Sequence, residues 1–267
     1  MPRIVIGVPC MNSVSTSFFS SILTQRYTPG YQFSYAIEAG SVVYTARARI
    51  VHRAIMAEAD YLIQYDSDMV LEPDTTMKLV EAIEGGKLPQ SPAATAPSER
   101  EPMPKDFVTG LYFMRRLPTK PLILKSADRY EDEYGWQNMV ETYEDYPKNS
   151  LFEIAGAGFG CCIMRMSMVK DLIERCKGNP FQPLPELSED YSFCYQAKQA
   201  GYKLWCDSRI KPGHAGLKVY TEADWDKQLW NLRPGVQIAE KSAELGADGL
   251  PLPAGDGKKR MKDVVCE

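Results

Sequence analysis

Strand-like and helix-like segments alternate three times over residues 1–86, and this constrains the chain more than any other feature. Ile4 to Val8 is an unbroken apolar run, the pattern of a strand buried on both faces. It ends at Pro9-Cys10-Met11-Asn12. The spacing of Phe18, Phe19, Ile22 and Leu23 predicts a helix from about Ser15 to Gln25. Gln32 to Glu38 alternates and reads as a second strand, with Phe33, Tyr35 and Ile37 on one side and Ser34, Ala36 and Glu38 on the other. Thr45 is placed to cap a helix over Ala46 to Ala59 whose Ile50, Val51, Ala54, Ile55 and Ala57 point inward. Tyr61 to Tyr65 is a third strand. Asp74 then caps a helix running through Glu84, and Gly85-Gly86 terminates it. This order predicts an α/β fold with a mostly parallel central sheet flanked by helices. In such sheets ligands sit beyond the carboxyl ends of the strands. Pro9-Cys10-Met11 and Asp66-Ser67-Asp68 both fall there.

The second half is less regular. Residues 89–104 carry prolines at 89, 92, 97, 102 and 104 and read as an extended loop. Phe107 to Arg115 is expected to be a strand, and Pro121 to Leu124 a short one. From Glu131 to Tyr146 there are six acidic side chains, no basic ones, and the aromatics Tyr134, Trp136, Tyr143 and Tyr146. With no period to follow, this stretch reads as a long surface excursion, either a lid or a solvated loop. Gly156-Ala157-Gly158-Phe159-Gly160 is not a dinucleotide fingerprint, since Cys161 stands where a sixth-position glycine would be. Its glycines suit a tight turn or close backbone approach. A strand over Cys161 to Arg165, a helix over Ser167 to Cys176, and a helix capped by Ser188 and ending at Ala200-Gly201 follow. Tyr202 to Cys206 is the last expected strand. Residues 1–216 thus read as the principal domain. Residues 217–267 read as an extension with a helix near Ala223 to Asn231 and a glycine- and proline-rich tail ending in Lys258-Lys259-Arg260.

Composition narrows the partners. The formal net charge is -4, which disfavours a surface built to track a phosphate backbone. No apolar run approaches the ~18–20 residues of a membrane helix. The seven cysteines form no Cys-x-x-Cys pair and read as reduced core thiols. With a strand beginning at once, no signal peptide is expected, and a cytoplasmic protein is.

Several residues could carry chemistry. Asp66 and Asp68 put two hard oxygen ligands at a strand end, suited to Mg²⁺ or Mn²⁺ when a substrate phosphate completes the shell. Asp-x-Asp recurs by chance in an acidic chain. Asp224-Trp225-Asp226 is a second instance, but only the first ends an apolar strand. Glu189-Asp190 at a helix start is either dipole complementation or a general base aimed at the cleft. His214 is either a structural histidine or a third metal ligand. Arg47 and Arg49 would lie in the first turn of their helix, where a cation is unfavourable unless something anionic answers it.

As a set, these segments resemble a known family. They are the first strand ending at Pro9, Ala46-Arg47-Ala48-Arg49, Asp60 to Met69, and the Gly156–Gly160 segment. To these are added Ser188-Glu189-Asp190-Tyr191-Ser192-Phe193-Cys194, Ala200 to Asp207, and Gly213-His214. Over about residues 3–216 the chain is similar to nucleotide-sugar glycosyltransferases of the A-type (Rossmann-like) fold, near glycosyltransferase family 2. The resemblance implies that Pro9, Cys10 and Met11 line the base pocket and that Arg47 and Arg49 lie near the nucleotide or diphosphate. It places Asp66 and Ser67 at the donor, has Asp66, Asp68 and His214 hold Mn²⁺ or Mg²⁺, and makes Asp190 the base with Glu189 beside it. Gly156, Ala157, Gly158 and Trp136 are the candidate acceptor contacts, Trp136 by stacking on a sugar face. The chain lacks the Gln-x-x-Arg-Trp motif of processive synthases, which favours transfer of one sugar. The donor is a nucleoside-diphosphate sugar, with UDP and GDP both open. The acceptor is a glycan, lipid-linked sugar, protein, small molecule or modified DNA base. The competing readings are a sugar-phosphate nucleotidyltransferase and a catalytically inert sugar-binding protein.

Overall fold

The structure, a computed structural model, describes residues 1–86, 104–216 and 218–231. The proline-rich stretch up to residue 103, residue 217, and the tail from 232 with Lys258-Lys259-Arg260 lie outside the described residues. The first half runs β1 (Arg3–Cys10), α1 (Thr16–Leu23), β2 (Gln32–Ala39), α2 (Val43–Met56), β3 (Tyr61–Tyr65), β4 (Met69–Val70) and α3 (Thr75–Ile83). The second half runs β5 (Phe107–Gly110), β6 (Ile123–Asp132), β7 (Gly135–Thr142), β8 (Leu151–Ile154), β9 (Gly156–Ala157), β10 (Cys161–Arg165) and α4 (Met166–Cys176). It continues with α5 (Glu189–Gln199), β11 (Leu204–Asp207), β12 (Gly213–Ala215), β13 (Val219–Tyr220) and α6 (Glu222–Asn231). A seven-stranded sheet has the order β2-β1-β3-β10-β5-β11-β8. Five of its strands run one way. β10 is antiparallel to β3 and β5, and β8 is antiparallel to β11. The fold is therefore α/β with a mostly parallel sheet, as the alternation requires.

Side-chain alternation along the buried strands makes two cores. Val5 and Leu62 face α2, α4 and α5 with Ile50, Val169, Leu172 and Phe193. Ile4, Ile6, Val8 and Ile63 face α1 and α3 with Phe18, Leu79, Val80 and Ile83. Gln64 shares the side of Leu62, so a polar group is carried into the first core. Met1–Gln228 forms one compact unit, with Trp225 of α6 in its core. Apart from residues 229–231, the second unit, Leu229–Glu267, lies outside the described residues. Among the described residues no helix is long and apolar enough to cross a membrane, and Cys10, Cys161, Cys162, Cys176, Cys194 and Cys206 are unpaired.

Four local expectations are corrected. α2 begins at Val43, not after Thr45. Gly40 turns the chain at φ 73°, and the Val42 carbonyl already accepts from the Thr45 and Ala46 amides. Arg47 and Arg49 consequently lie beyond the first turn. The acidic 131–146 stretch is mostly the second strand of a hairpin, β6–β7. Its two-residue turn at Glu133-Tyr134 is completed by Gly135 at φ 103°. Its period was hidden because the hairpin stands off the sheet with polar side chains on both faces. β5 stops at Gly110, where its neighbour β11 also ends; Leu111 to Phe113 continue as buried irregular chain. The expected short strand at Pro121 to Leu124 begins at Ile123 and runs on into the hairpin.

Gly7 of β1 lies directly beneath α2. A β-carbon there would collide with the γ2 methyl of buried Ile50, whose β-branched side chain has little room to turn away. Gly7→Ala is expected to lower stability by ~1–3 kcal/mol through overpacking. In urea denaturation this reads as a lower midpoint at unchanged slope.

Candidate functional site

The site gathers at the carboxyl ends of β1 and β3 and the start of α5. Its centre is Arg47 of α2, whose side chain is 2% exposed. Helical periodicity turns Arg47 inward with Ile50, Val51 and Ala54. Its Nη1 donates to Gln64 Oε1 at 2.5 Å, its Nη2 to Asp66 Oδ1 at 2.9 Å, and its Nε to Glu189 Oε1 at 3.3 Å. The guanidinium also lies over the Phe159 ring, 5.5 Å from its centroid. Burial alone would push Arg47 toward neutrality. Asp66, Glu189 and Asp190 outweigh that and hold it more firmly charged. Arg47 is thus a buried hub joining β3 to α5, and the anions that answer it are the chain's own Asp66 and Glu189. Arg49 is exposed, and its Nη1 donates to Ser41 Oγ at 2.7 Å.

Asp68 follows two residues on. β4 begins immediately after it and pairs with β12, setting His214 opposite Met69. That register puts His214 Nε2 3.4 Å from Asp68 Oδ2, and the Ala215 amide donates to the Asp68 carbonyl at 2.8 Å. His214 Nδ1 is 2.8 Å from the Phe113 carbonyl. A carbonyl only accepts, so Nδ1 carries the hydrogen; Nε2, facing Asp68, donates to it when the ring is protonated and offers a lone pair to a cation when the ring is neutral. Arg115, 58% exposed, forms an ion pair with Asp68 Oδ2. Asp68 Oδ1 is buried and has no hydrogen-bond partner among the described residues. Burial raises the Asp68 pKa, but His214 and Arg115 outweigh it, so Asp68 ionises below the ordinary carboxylate range.

These groups fit a divalent cation. An orphaned carboxylate oxygen and an oriented imidazole are a hard and a borderline ligand, and Mg²⁺ or Mn²⁺ commonly takes its remaining ligands from water and substrate phosphates. Asp66, by contrast, has one oxygen committed to Arg47. Among the described residues there is no group of three or more His, Cys, Asp or Glu side chains arranged to hold a metal. The protein's share of such a site is Asp68 with His214.

Asp190 sits in the first turn of α5 with Glu189. Its Oδ1 accepts from Ser188 Oγ and, at 2.8 Å, from the Tyr191 amide. Ser188 therefore fixes the carboxylate instead of capping the helix. Oδ2 makes no hydrogen bond among the described residues and faces Gly158, where a β-carbon would lie 3.5 Å away. Burial and the neighbouring Glu189 raise the Asp190 pKa to about 6, against smaller opposing effects of Ser188 and Arg47. Tyr112 joins this half to the other. Its hydroxyl accepts from the Gly160 amide at 2.8 Å, and its ring meets the His214 ring edge-on at 5.5 Å. A β-carbon at Gly158 would strike the Tyr112 hydroxyl, and one at Gly160 would stand 2.9 Å from the ring and from Met69 Sδ. The glycine run thus serves close approach. Tyr112 lies between the two groups: its ring meets His214, and its hydroxyl lies against Gly158, which faces Asp190.

The other candidates are dispersed. Cys10 is buried and Met11 exposed, and the Met11 carbonyl is bonded by the Gly40 amide at 2.6 Å. The Ser67 carbonyl accepts from Ser15. Gly156 and Ala157 pair with β6 as β9. Trp136 is on the hairpin beside its turn, 40% exposed, with Arg129 stacked 4.4 Å from its ring. Asp224 and Asp226 form ion pairs with Lys218 and Lys148. Sequence reasoning missed Gln64, Tyr112 and Arg115. Only Gln64 left a signal, as a polar residue inside the apolar Tyr61–Tyr65 run.

No family model and no curated protein matches the chain. Among solved structures it is similar to A197 from STIV, with a TM-score of 0.50 and 18% identity over 81% of this chain and 86% of that one. A weaker likeness is to CMP:2-keto-3-deoxy-manno-octonic acid synthetase complexed with CTP, with a TM-score of 0.45 and 12% identity over 86% of this chain and 98% of that one. The first is a likeness of fold; the second adds nothing to it.

Arg47→Met is expected to strand the Asp66 and Glu189 carboxylates and cost ~3–5 kcal/mol in urea denaturation at neutral pH. Adding Glu189→Gln to that variant should recover part of the loss, since one uncompensated charge goes with it.

Proposed function

We propose that the chain is a metal-dependent glycosyltransferase that moves one sugar from a nucleoside-diphosphate sugar to an acceptor hydroxyl, with inversion at the anomeric carbon. The observation that carries this reading is that one side chain, Tyr112, meets both groups: His214 of the Asp68–His214 pair against its ring, and Gly158, which faces the unpaired Asp190 Oδ2, against its hydroxyl. In an inverting transfer the base and the leaving group lie on opposite sides of the sugar carbon. The acceptor oxygen bonds that carbon while Asp190 Oδ2 takes its proton. The bond from the carbon to the diphosphate oxygen breaks, and the electron pair leaves with the diphosphate. Asp68 and His214 would hold Mn²⁺ or Mg²⁺, which when bound supplies positive charge against the departing diphosphate. Arg115 brings a second, exposed cation to the same place. Glu189 supports the reaction indirectly: it neutralises Arg47 and raises Asp190 toward the range where a base works near neutral pH. Pro9 and Cys10 at the end of β1, Met11 after it and Ser67 after β3 would receive the donor nucleotide, since ligands of such sheets sit at the carboxyl ends of the strands, with exposed Arg49 of α2 as a further cation for it.

A sugar-phosphate nucleotidyltransferase is disfavoured because Pro9-Cys10-Met11-Asn12-Ser13 holds no basic side chain for a triphosphate. Pyrophosphate release from a nucleoside triphosphate and a sugar 1-phosphate would establish that activity instead.

Two outcomes follow. Millimolar UDP or GDP with Mn²⁺ should raise the melting temperature by a few degrees, and Asp68→Ala should abolish the Mn²⁺-dependent part. If no nucleoside diphosphate shifts the transition, the donor reading fails. Because Asp190 must be ionised to accept a proton, kcat/KM should be level above pH about 6 and fall about tenfold per unit below it. Asp190→Asn should remove transfer altogether. A profile flat down to pH ~5 would exclude Asp190 as the base.

A further inference from the structure

A cavity lies between the β6–β7 hairpin and α5. It is lined by Arg129, Asn138, Gly156, Leu187, Tyr191 and Tyr195. Its floor at Gly156 is two residues along the chain from Gly158, which faces Asp190, a separation of ~7 Å in extended chain. Arg129 and Asn138 are cross-strand partners. The Arg129 guanidinium is held between the Trp136 ring at 4.4 Å and the Tyr195 ring at 5.8 Å. Its Nε and Nη1 are buried and have no hydrogen-bond partner. Asn138 Nδ2 donates to the Glu186 carbonyl at 3.0 Å, which fixes the amide and leaves its buried Oδ1 without a partner. Two unmatched donors and one unmatched acceptor therefore meet in one cavity, and leaving such groups unpaired is costly.

The geometry points to a subsite for a neutral, polyhydroxylated sugar unit of the acceptor. A hydroxyl accepts from the guanidinium and donates to Asn138 Oδ1, satisfying both. A carboxylate or phosphate ester can only accept, and would leave Asn138 Oδ1 orphaned. The exposed acidic groups of the hairpin, Asp128, Glu131, Asp132 and Glu133, further disfavour an anion. Leu187, Tyr191 and Tyr195 offer an apolar and aromatic wall to the C–H face of a pyranose. The offset from Asp190 is about one sugar ring, so the acceptor is a glycan of at least two units, one reacting and one held here. This rests on the glycosyl-transfer reading of the candidate site.

The test is saturation-transfer NMR on the full chain with maltose, cellobiose, lactose and mannobiose, and with digalacturonate as the acidic probe. At least one neutral disaccharide should receive saturation. Asn138→Asp should pair with Arg129 across the hairpin, consuming the donors while keeping the fold. It should reduce that signal about tenfold with no loss of melting temperature. Arg129→Gln should do the same to the signal. The subsite is overturned if no neutral probe binds, if only digalacturonate binds, or if binding survives both substitutions, as it would if the cavity held only water. Binding of UDP with Mn²⁺ is followed separately. A saccharide signal without nucleotide binding would remove the donor reading and leave a sugar site; nucleotide binding without a saccharide signal would do the reverse.

Discussion

A single guanidinium buried among carboxylates fixes the geometry around Asp66, Glu189 and Asp190. Arg47 could not be left in the first core alone, since an unpaired charge there would be severely destabilising. Gln64, Asp66 and Glu189 meet three of its N–H directions and draw β3, α2 and the start of α5 to one point. The planar fork of arginine suits this, because its donors diverge at fixed angles; a lysine would offer a point charge without that geometry. The same arrangement places Glu189 beside Asp190. Burial, and after it repulsion from Glu189, keeps Asp190 from ionising as readily as an isolated aspartate.

The other half is built by backbone pairing. Asp68 and His214 are 146 positions apart in sequence, and the β4–β12 ladder brings them together. Neither strand exceeds three residues, so their sequences carry almost no alternation to announce them. Tyr112 then holds the two halves in register. It reaches the Gly160 amide because Gly158 and Gly160 lack the β-carbons that would block its ring. Packing around Tyr112 thus sets where Asp190 stands relative to the Asp68–His214 pair.

Legibility followed burial. Where strands are covered on both faces, as at Ile4–Val8 and Tyr61–Tyr65, their apolar runs, interrupted by polar Gln64 in the second, were read to within a few residues. Where an element has no buried face, no period is imposed. The hairpin of β6 and β7 looked irregular for that reason, and only the positive φ of Gly135 marks its turn. Helix ends were less certain for a related reason. Thr45 is a good capping residue, yet α2 starts earlier because the turn at Gly40 delivers the chain in helical register at Val42. Candidate site residues at strand ends (Asp66, Asp68) and at a helix start (Asp190) were legible because fold class dictates where such ends converge. Tyr112 and Arg115 were not, since nothing local distinguishes them from other residues in a loop after a strand.

From the order of residues alone came the α/β class and the mostly parallel sheet. Both follow from hydrophobic periodicity, a property of neighbours in sequence. What the tertiary structure decided was pairing: Arg47 with Asp66 and Glu189, His214 with Asp68, and Arg129 between Trp136 and Tyr195. Those partners lie far apart along the chain or on different elements. Their meeting depends on sheet register and on the space left by particular glycines, which no local pattern encodes.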